Sequence, residues 1–311
     1  MKLALRTLMI AILLLLFVRH DVMAQSQPER PREVGVGLYV LNFGALDINE
    51  GTFTADFYLT IKDSQPIQDD SFEFVNGTPR KINTTDDYKE ADTYVKVYRI
   101  TADLTTKVDL SKYPFDSQQL PIRLESKVES TEHMVFVPLD SKSGIDEGNS
   151  LPGWSLGALA VDVKEHYYPV FKEGYSQFRF AVTVSKNRFN AYFQTFSSVS
   201  FTILVCLLSF LLGPDKLHIR SKITNVALIA SGMFFKKLVD RIPAVSYLTF
   251  LDKFMFLTYS VLIIYILVNV YVTYLQNQNN DGRIAAMQTY SVYVLAMLTL
   301  TLYMGLFWIY L

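Results

Sequence analysis

Lysines inside an otherwise apolar segment are the residues of this sequence with the clearest chemical meaning. Lys222, Lys236 and Lys237 stand between Ser221 and Val239. Lys222, Val226, Ile229, Met233, Lys236 and Asp240 recur at alternating spacings of four and three, which places all six on one face of a helix. A bilayer tolerates a lysine only where its charge meets water, a partner or the interface. The chemistry implied is therefore the handling of ions rather than bond making. Two other readings fit the same residues. Lys236 and Lys237 can snorkel outward from the end of a short span, and a rotated register puts Lys237 in the place of Lys236.

Residue sets for catalysis are missing. Once His20 is set aside with the expected leader, His133, His166 and His218 remain, none at metal-ligand spacing from another. No GxSxG, P-loop or HExxH pattern occurs, so the chain is not expected to be an enzyme or to carry a cofactor or a metal centre. The lone cysteine, Cys206, excludes an intrachain disulfide framework. A net charge of -1 without a Lys/Arg block argues against nucleic acid. Asn76-Gly77-Thr78 and Asn83-Thr84-Thr85 match the glycosylation sequon.

The elements that must position the lysine stripe follow from the distribution of apolar residues. With 50% hydrophobic and 19% charged residues and a mean hydropathy of +0.20, the chain is too apolar for an ordinary soluble protein. Lys2 and Arg6, the apolar run Leu8 to Val18 and the end at Ala24 predict a secretory signal peptide over residues 1–24. Residues 25–190 are mixed in polarity. Short β-branched and aromatic runs at Val36–Leu41, Thr52–Ile61, Thr93–Leu104, Leu120–Glu125, His133–Leu139, Leu159–Val163 and Phe178–Val184 alternate with turn residues. They predict an all-β, immunoglobulin-like sandwich outside the cytoplasm.

Charge becomes scarce from Ala191 onward. Four spans are predicted at about 192–213, 219–240, 252–276 and 286–311, with the stripe on the second. Lys216, Arg220 and Lys222 suit a cytoplasmic link between the first two. The expectation is a four-helix transmembrane bundle of the inner membrane, multi-pass, with sandwich and C-terminus on the extracellular or periplasmic side.

At Lys112 to Leu120 the sequence reads KYPFDSQQL. This resembles the Y/F-P-F-D-x-Q motif of the signature loop in pentameric ligand-gated ion channels, the Cys-loop receptor family. Leader, sandwich, loop, Arg188 before the first span, four spans and Pro243 after the second all fit that layout. The loop-closing cysteines of animal members correspond by spacing to Thr106 and Leu120, and with the short link between the last two spans this resembles the prokaryotic branch. The resemblance implies a homopentamer with five copies of the stripe around a central pore. The apolar middle, Val226-Ile229-Met233, would close by dewetting. It also implies a coupling set of Asp47, Tyr113, Pro114, Phe115, Asp116, Arg188 and Pro243, with an Asp116–Arg188 pair at the domain boundary.

Lys222 and Arg220 stand near the position where cation-conducting members carry a glutamate ring, so anion selectivity or weak discrimination is expected, with Asp240 as an opposing acidic ring. Ligands in this family bind between subunits under a late hairpin, here Tyr167-Tyr168-Pro169 through Gly174-Tyr175. Three agonist classes stay open: a small amine held by Tyr167, Tyr168 and Tyr175; protons read by carboxylates with His133 and His166; and a divalent cation at Asp69-Asp70 or Asp86-Asp87. The other partners expected are permeant inorganic ions, the bilayer and identical subunits. A non-conducting membrane receptor or sensor of the same architecture is the alternative.

Overall fold

A computed structural model describes residues 30–278 and 281–310 of the chain. The expected signal peptide lies outside the described residues. Ten strands come first: β1 (Arg32–Phe43), β2 (Thr52–Asp63), β3 (Phe72–Phe74), β4 (Gly77–Glu90), β5 (Thr93–Thr105), β6 (Ser117–Ser126), β7 (Met134–Pro138), β8 (Gly144–Ile145), β9 (Ser155–Tyr168) and β10 (Glu173–Ser185). They form two sheets, one ordered β4-β5-β2-β1-β7 with β8 paired to β1, the other ordered β3-β6-β10-β9. Along β1 and β2 the apolar side chains alternate inward. Val36, Leu38, Phe57 and Leu59 meet Leu120, Ile122, Phe178 and Phe180 from the other sheet in one fully buried core. Burial of each such side chain contributes about 1.5–3 kcal/mol.

β3, β4 and the two-residue β8 have no counterpart among the predicted strands. β4 is held at the sheet edge by backbone pairing to β5, and nearly all its side chains are exposed. Charged residues on an edge discourage pairing with another chain. The two sequons separate here. Asn83 is exposed, whereas the Asn76 amide is buried and donates to the carbonyls of Thr105 and Pro121, both at 2.8 Å, so it is spent on the fold.

Four helices follow: α1 (Arg188–Ser209), α2 (Leu217–Val239), α3 (Phe250–Asn277) and α4 (Asp281–Tyr310). The Asn187 side chain caps α1 by accepting from the Asn190 amide at 3.1 Å. Thr249 and Asp252 form a reciprocal capping box at the start of α3. Each helix packs on the next in chain order, and α4 also reaches α1. Arg188–Ser209, Phe250–Asn277 and Tyr290–Tyr310 are long and apolar enough to cross a membrane by length and composition. α2, at 23 residues, is about 35 Å long; its lysines and Arg220 keep it out of that set. Hydroxyl pairs join α3 to α4, Tyr265 to Thr299 and Thr258 to Tyr303, both at 2.7 Å.

The predicted cytoplasmic link Pro214–Lys222 is mostly helix. Pro214–Lys216 is a single 3-10 turn and α2 begins at Leu217. Arg220 falls inside the second predicted span, about 219–240, and its side chain is fully buried rather than exposed at the link.

Candidate pore and coupling interface

The two sides of α2 differ in chemistry. Leu217, Arg220, Thr224, Ala227, Ser231 and Leu238 are buried against the other helices. Lys222, Val226, Ile229, Met233, Lys236 and Asp240 all lie exposed, with Val226, Ile229 and Met233 at 65%, 66% and 70%. Three large apolar side chains thus stand in succession on a helix face that no other helix of the chain covers. Lys237 is exposed as well, so both lysine registers are open in one chain.

The sequence reading placed Arg220 with the exposed charges, and the structure turns it inward. Its Nη2 donates to Asn269 Oδ1 at 3.0 Å, and its guanidinium lies 4.3 Å from the Phe210 ring centroid. Asn269 also donates to Thr224 Oγ1 at 3.3 Å. This buried polar group fixes α2 against α3 and thereby sets which face of α2 is left uncovered.

The Lys112–Leu120 loop sits where the sandwich meets the helices. Tyr113 and Phe115 join a cluster with Phe196 of α1 and Phe250 and Phe254 of α3. Phe115 lies 5.5 Å from Phe250, 6.0 Å from Phe196 and 6.0 Å from Phe307, ring centroid to ring centroid, so one side chain touches three helices. The Tyr113–Pro114 peptide is cis. Two hydrogen bonds tie the same region to the α2–α3 link and to the start of α3. The Leu110 amide donates to Tyr247 Oη at 2.9 Å and the Phe250 amide to the Ser111 carbonyl at 3.0 Å. Tyr247, absent from the predicted coupling set, is thus a direct pin, and Pro243 lies in the same link. Ile242 and Val245, on either side of Pro243, pack against the cluster.

Asp116 is buried, but its cationic neighbour is Lys186 rather than Arg188. Asp116 Oδ2 accepts from Gln118 Nε2 at 2.6 Å, and Oδ1 lies 3.9 Å from Lys186 Nζ. The Lys186 ammonium also lies 4.9 Å from the Tyr113 ring centroid and 4.7 Å from that of Trp154. Burial pulls this ammonium below the usual lysine range, and Asp116 opposes that pull. Arg188 is exposed. The reason is local: Lys186 directly follows β10, whereas Arg188 is the first residue of α1, and the turn into the helix swings it away.

Asp47 is likewise not joined to this pair. Its carboxylate accepts from the amides of Asn49 at 2.8 Å and Glu50 at 3.3 Å, closing its own turn. Gly51 completes the turn at φ +66, where a Cβ would meet the Thr106 carbonyl oxygen at 2.6 Å. The neighbour, Ile48, is the residue that reaches the interface cluster.

At the β9–β10 hairpin the structure brings together Tyr168, Tyr175 and His166. Tyr168 lies 4.3 Å from the His166 ring and 5.7 Å from Tyr175. Tyr167 is exposed beside them, and His133 sits in the turn before β7, outside these ring contacts. Among the described residues no group of three or more His, Cys, Asp or Glu is placed to hold a metal ion. Asp69 and Asp87, from the two acidic pairs suggested for divalent cations, converge instead on Lys96, at 2.7 and 3.1 Å. That ammonium holds the Asp69 carboxyl below its usual range.

No family model matches the chain. It is 22% identical over 296 residues to a proton-gated ion channel of Gloeobacter violaceus, covering 86% of this chain and 80% of that protein. It is also 23% identical over 159 residues to a serotonin-gated chloride channel of Caenorhabditis elegans, covering 51% of this chain and 32% of that one. Both relatives are ligand-gated ion channels, and membrane proteins, rather than enzymes. With the KYPFDSQQL loop wedged between a two-sheet β-sandwich and a following set of helices, the chain resembles the pentameric ligand-gated ion channels in both motif and layout.

Proposed function

We propose that this chain is the subunit of a homopentameric, prokaryotic ligand-gated channel of the inner membrane. In this reading an agonist binding to the immunoglobulin-like sandwich outside the cytoplasm opens a central pore lined by α2, and both the sandwich and the C-terminus face the periplasm. The observation that carries it is the uncovered stripe of α2, charged at both ends and apolar between. Cyclic assembly of identical chains gives that face a water-filled axis. The groove between α1 and α2, lined by Phe201, Val205, Ile223, Ala227 and Ala230, is then filled by the neighbouring subunit. On the outside of α4, Tyr290 and Trp308 are exposed about 27 Å apart along the axis, which matches the aromatic girdles of a bilayer.

Asp116, Lys186, Phe115, Tyr247 and Ile48 form the mechanical link from sandwich to α2 in this account. Coupling runs through the α2–α3 link, which Tyr247 pins to the loop.

Five Lys222 side chains at the inner end favour anions. In asymmetric potassium chloride, reconstituted channels are expected to reverse on the chloride side of zero. Reversal near the potassium equilibrium potential would overturn anion selectivity while leaving the channel reading intact. A second reading, a sensor that does not conduct, is favoured by the crowding of five Lys222 and five Lys236 ammoniums about one axis. Liposomes showing no ion flux through pH steps or an amine panel would establish it.

A further inference from the structure

Glu125, in β6, is the most deeply buried carboxylate on the outer face of the smaller sheet, with the residue 1% exposed. Its Oε2 accepts from Tyr168 Oη at 2.9 Å, and Oε1 accepts from Gln177 Nε2 and lies 2.7 Å from His166 Nδ1. A carboxylate at that distance accepts, so Nδ1 carries the imidazole proton and Nε2 is left to take a second one. The two partners differ in access: the Glu125 side chain is 1% exposed and that of His166 42%. We propose that the Glu125–His166 pair is a proton-binding site that clasps the β9–β10 hairpin onto β6 and so lets the channel read pH. This rests on the reading of the chain as a gated channel.

The step adds one proton from water to His166 Nε2. It converts a neutral imidazole beside a carboxylate into an imidazolium–carboxylate ion pair, and no other bond changes. The bond to the carboxylate is already charge-assisted; protonation adds the direct attraction of opposite charges in a poorly hydrated site, so acidification tightens β9 against β6. The tightening reaches the hairpin tip because Tyr168, which shares the Glu125 carboxylate, packs on His166, Phe171 and Tyr175. Tyr168 is fixed there as a neutral donor, since burial and the hydrogen bond to Glu125 push its hydroxyl up to about 12.

The other charged groups on this face do not displace the pair. Glu73 of β3 stands opposite Glu125 in register, and Lys164 of β9 stands opposite Gln177. Arg123 follows on β6; Arg179 of β10 is engaged by Asp162 at 3.3 Å and by Gln119. Glu173 is engaged by Tyr175 at 3.0 Å. Before β7, Glu129 is taken by Arg32 and Glu132 is exposed, while β7 itself brings only Met134 and Phe136 beneath the sheet.

The test uses the full chain in liposomes with Cys206→Ser and a fluorophore on Val170→Cys at the hairpin tip, where Val170 is 87% exposed. Emission is followed from pH 8 to pH 4.5 beside the current. A single transition is expected. His166→Gln, which keeps a hydrogen-bonding side chain but cannot charge, should reduce its amplitude at least about tenfold and flatten the current's pH response. Glu125→Gln, which removes the anionic partner of the clasp, should likewise reduce the amplitude of the transition. An unchanged transition in His166→Gln overturns the proposal, as does a His166-dependent transition with currents indifferent to pH. Absence of any current overturns the channel reading instead, and the emission record still decides whether the pair takes the proton.

Discussion

Ile229→Ser is expected to leave the channel conducting without agonist. Ile229 is the centre of the only uncharged stretch of the uncovered α2 stripe, between Val226 and Met233. A narrow apolar girdle excludes water because each side chain offers it no hydrogen bond. Moving one isoleucine between water and an apolar setting is worth about 1.5–3 kcal/mol, and a symmetric assembly changes all copies at once. A hydroxyl at that level should wet the girdle, raising unstimulated current from a negligible fraction to most of the maximum. Ser231→Ala, on the buried side of the same helix, should leave resting current near that of the parent. A silent Ile229→Ser channel that still opens normally would place the constriction elsewhere.

The second large effect belongs to the Asp116–Lys186 pair. Asp116→Asn keeps the hydrogen bond to Gln118 available but leaves a largely buried ammonium facing Tyr113 and Trp154 without its carboxylate. Breaking one side of a buried pair costs about 3–5 kcal/mol. The 3.9 Å separation and a Lys186 side chain 21% exposed put this pair at the lower end of that range. Agonist-evoked current should be nearly lost in Asp116→Asn and in Lys186→Met while surface expression persists. The exchange Asp116→Lys with Lys186→Asp should recover part of it. Arg188→Gln should do much less, because Arg188 is exposed. A null phenotype from Arg188→Gln with normal Lys186→Met would reverse this assignment.

How much could be read from the chain beforehand depended on whether a residue's role is set by its near neighbours. β1, β2, β5, β6 and β10 announce themselves because apolar residues alternate along them. β4 does not, since KINTTDDYKE presents no apolar face and is a strand only because β5 offers it backbone partners. The α2 stripe was visible as a helical period. Arg220 reads as an exposed charge at the entrance of the second span, and its burial depends on Asn269, a partner 49 residues away. Lys186 was passed over for Arg188 because the strand-to-helix turn that separates them leaves no mark on composition. The Glu125–His166 contact joins residues 41 apart and needed the β6-β10-β9 register to appear.

The central claim, that the uncovered stripe of α2 lines the conducting path, is tested most directly by cysteine accessibility. In a Cys206→Ser background, single cysteines from Lys222 to Asp240 would be exposed to a small charged thiol reagent while current is recorded. The account predicts modification and a changed current at Lys222, Val226, Met233 and Lys236, and none at Thr224, Ala227 or Ser231. Reaction on the Thr224–Ala227–Ser231 side, or reaction along the stripe with current unchanged, would contradict it.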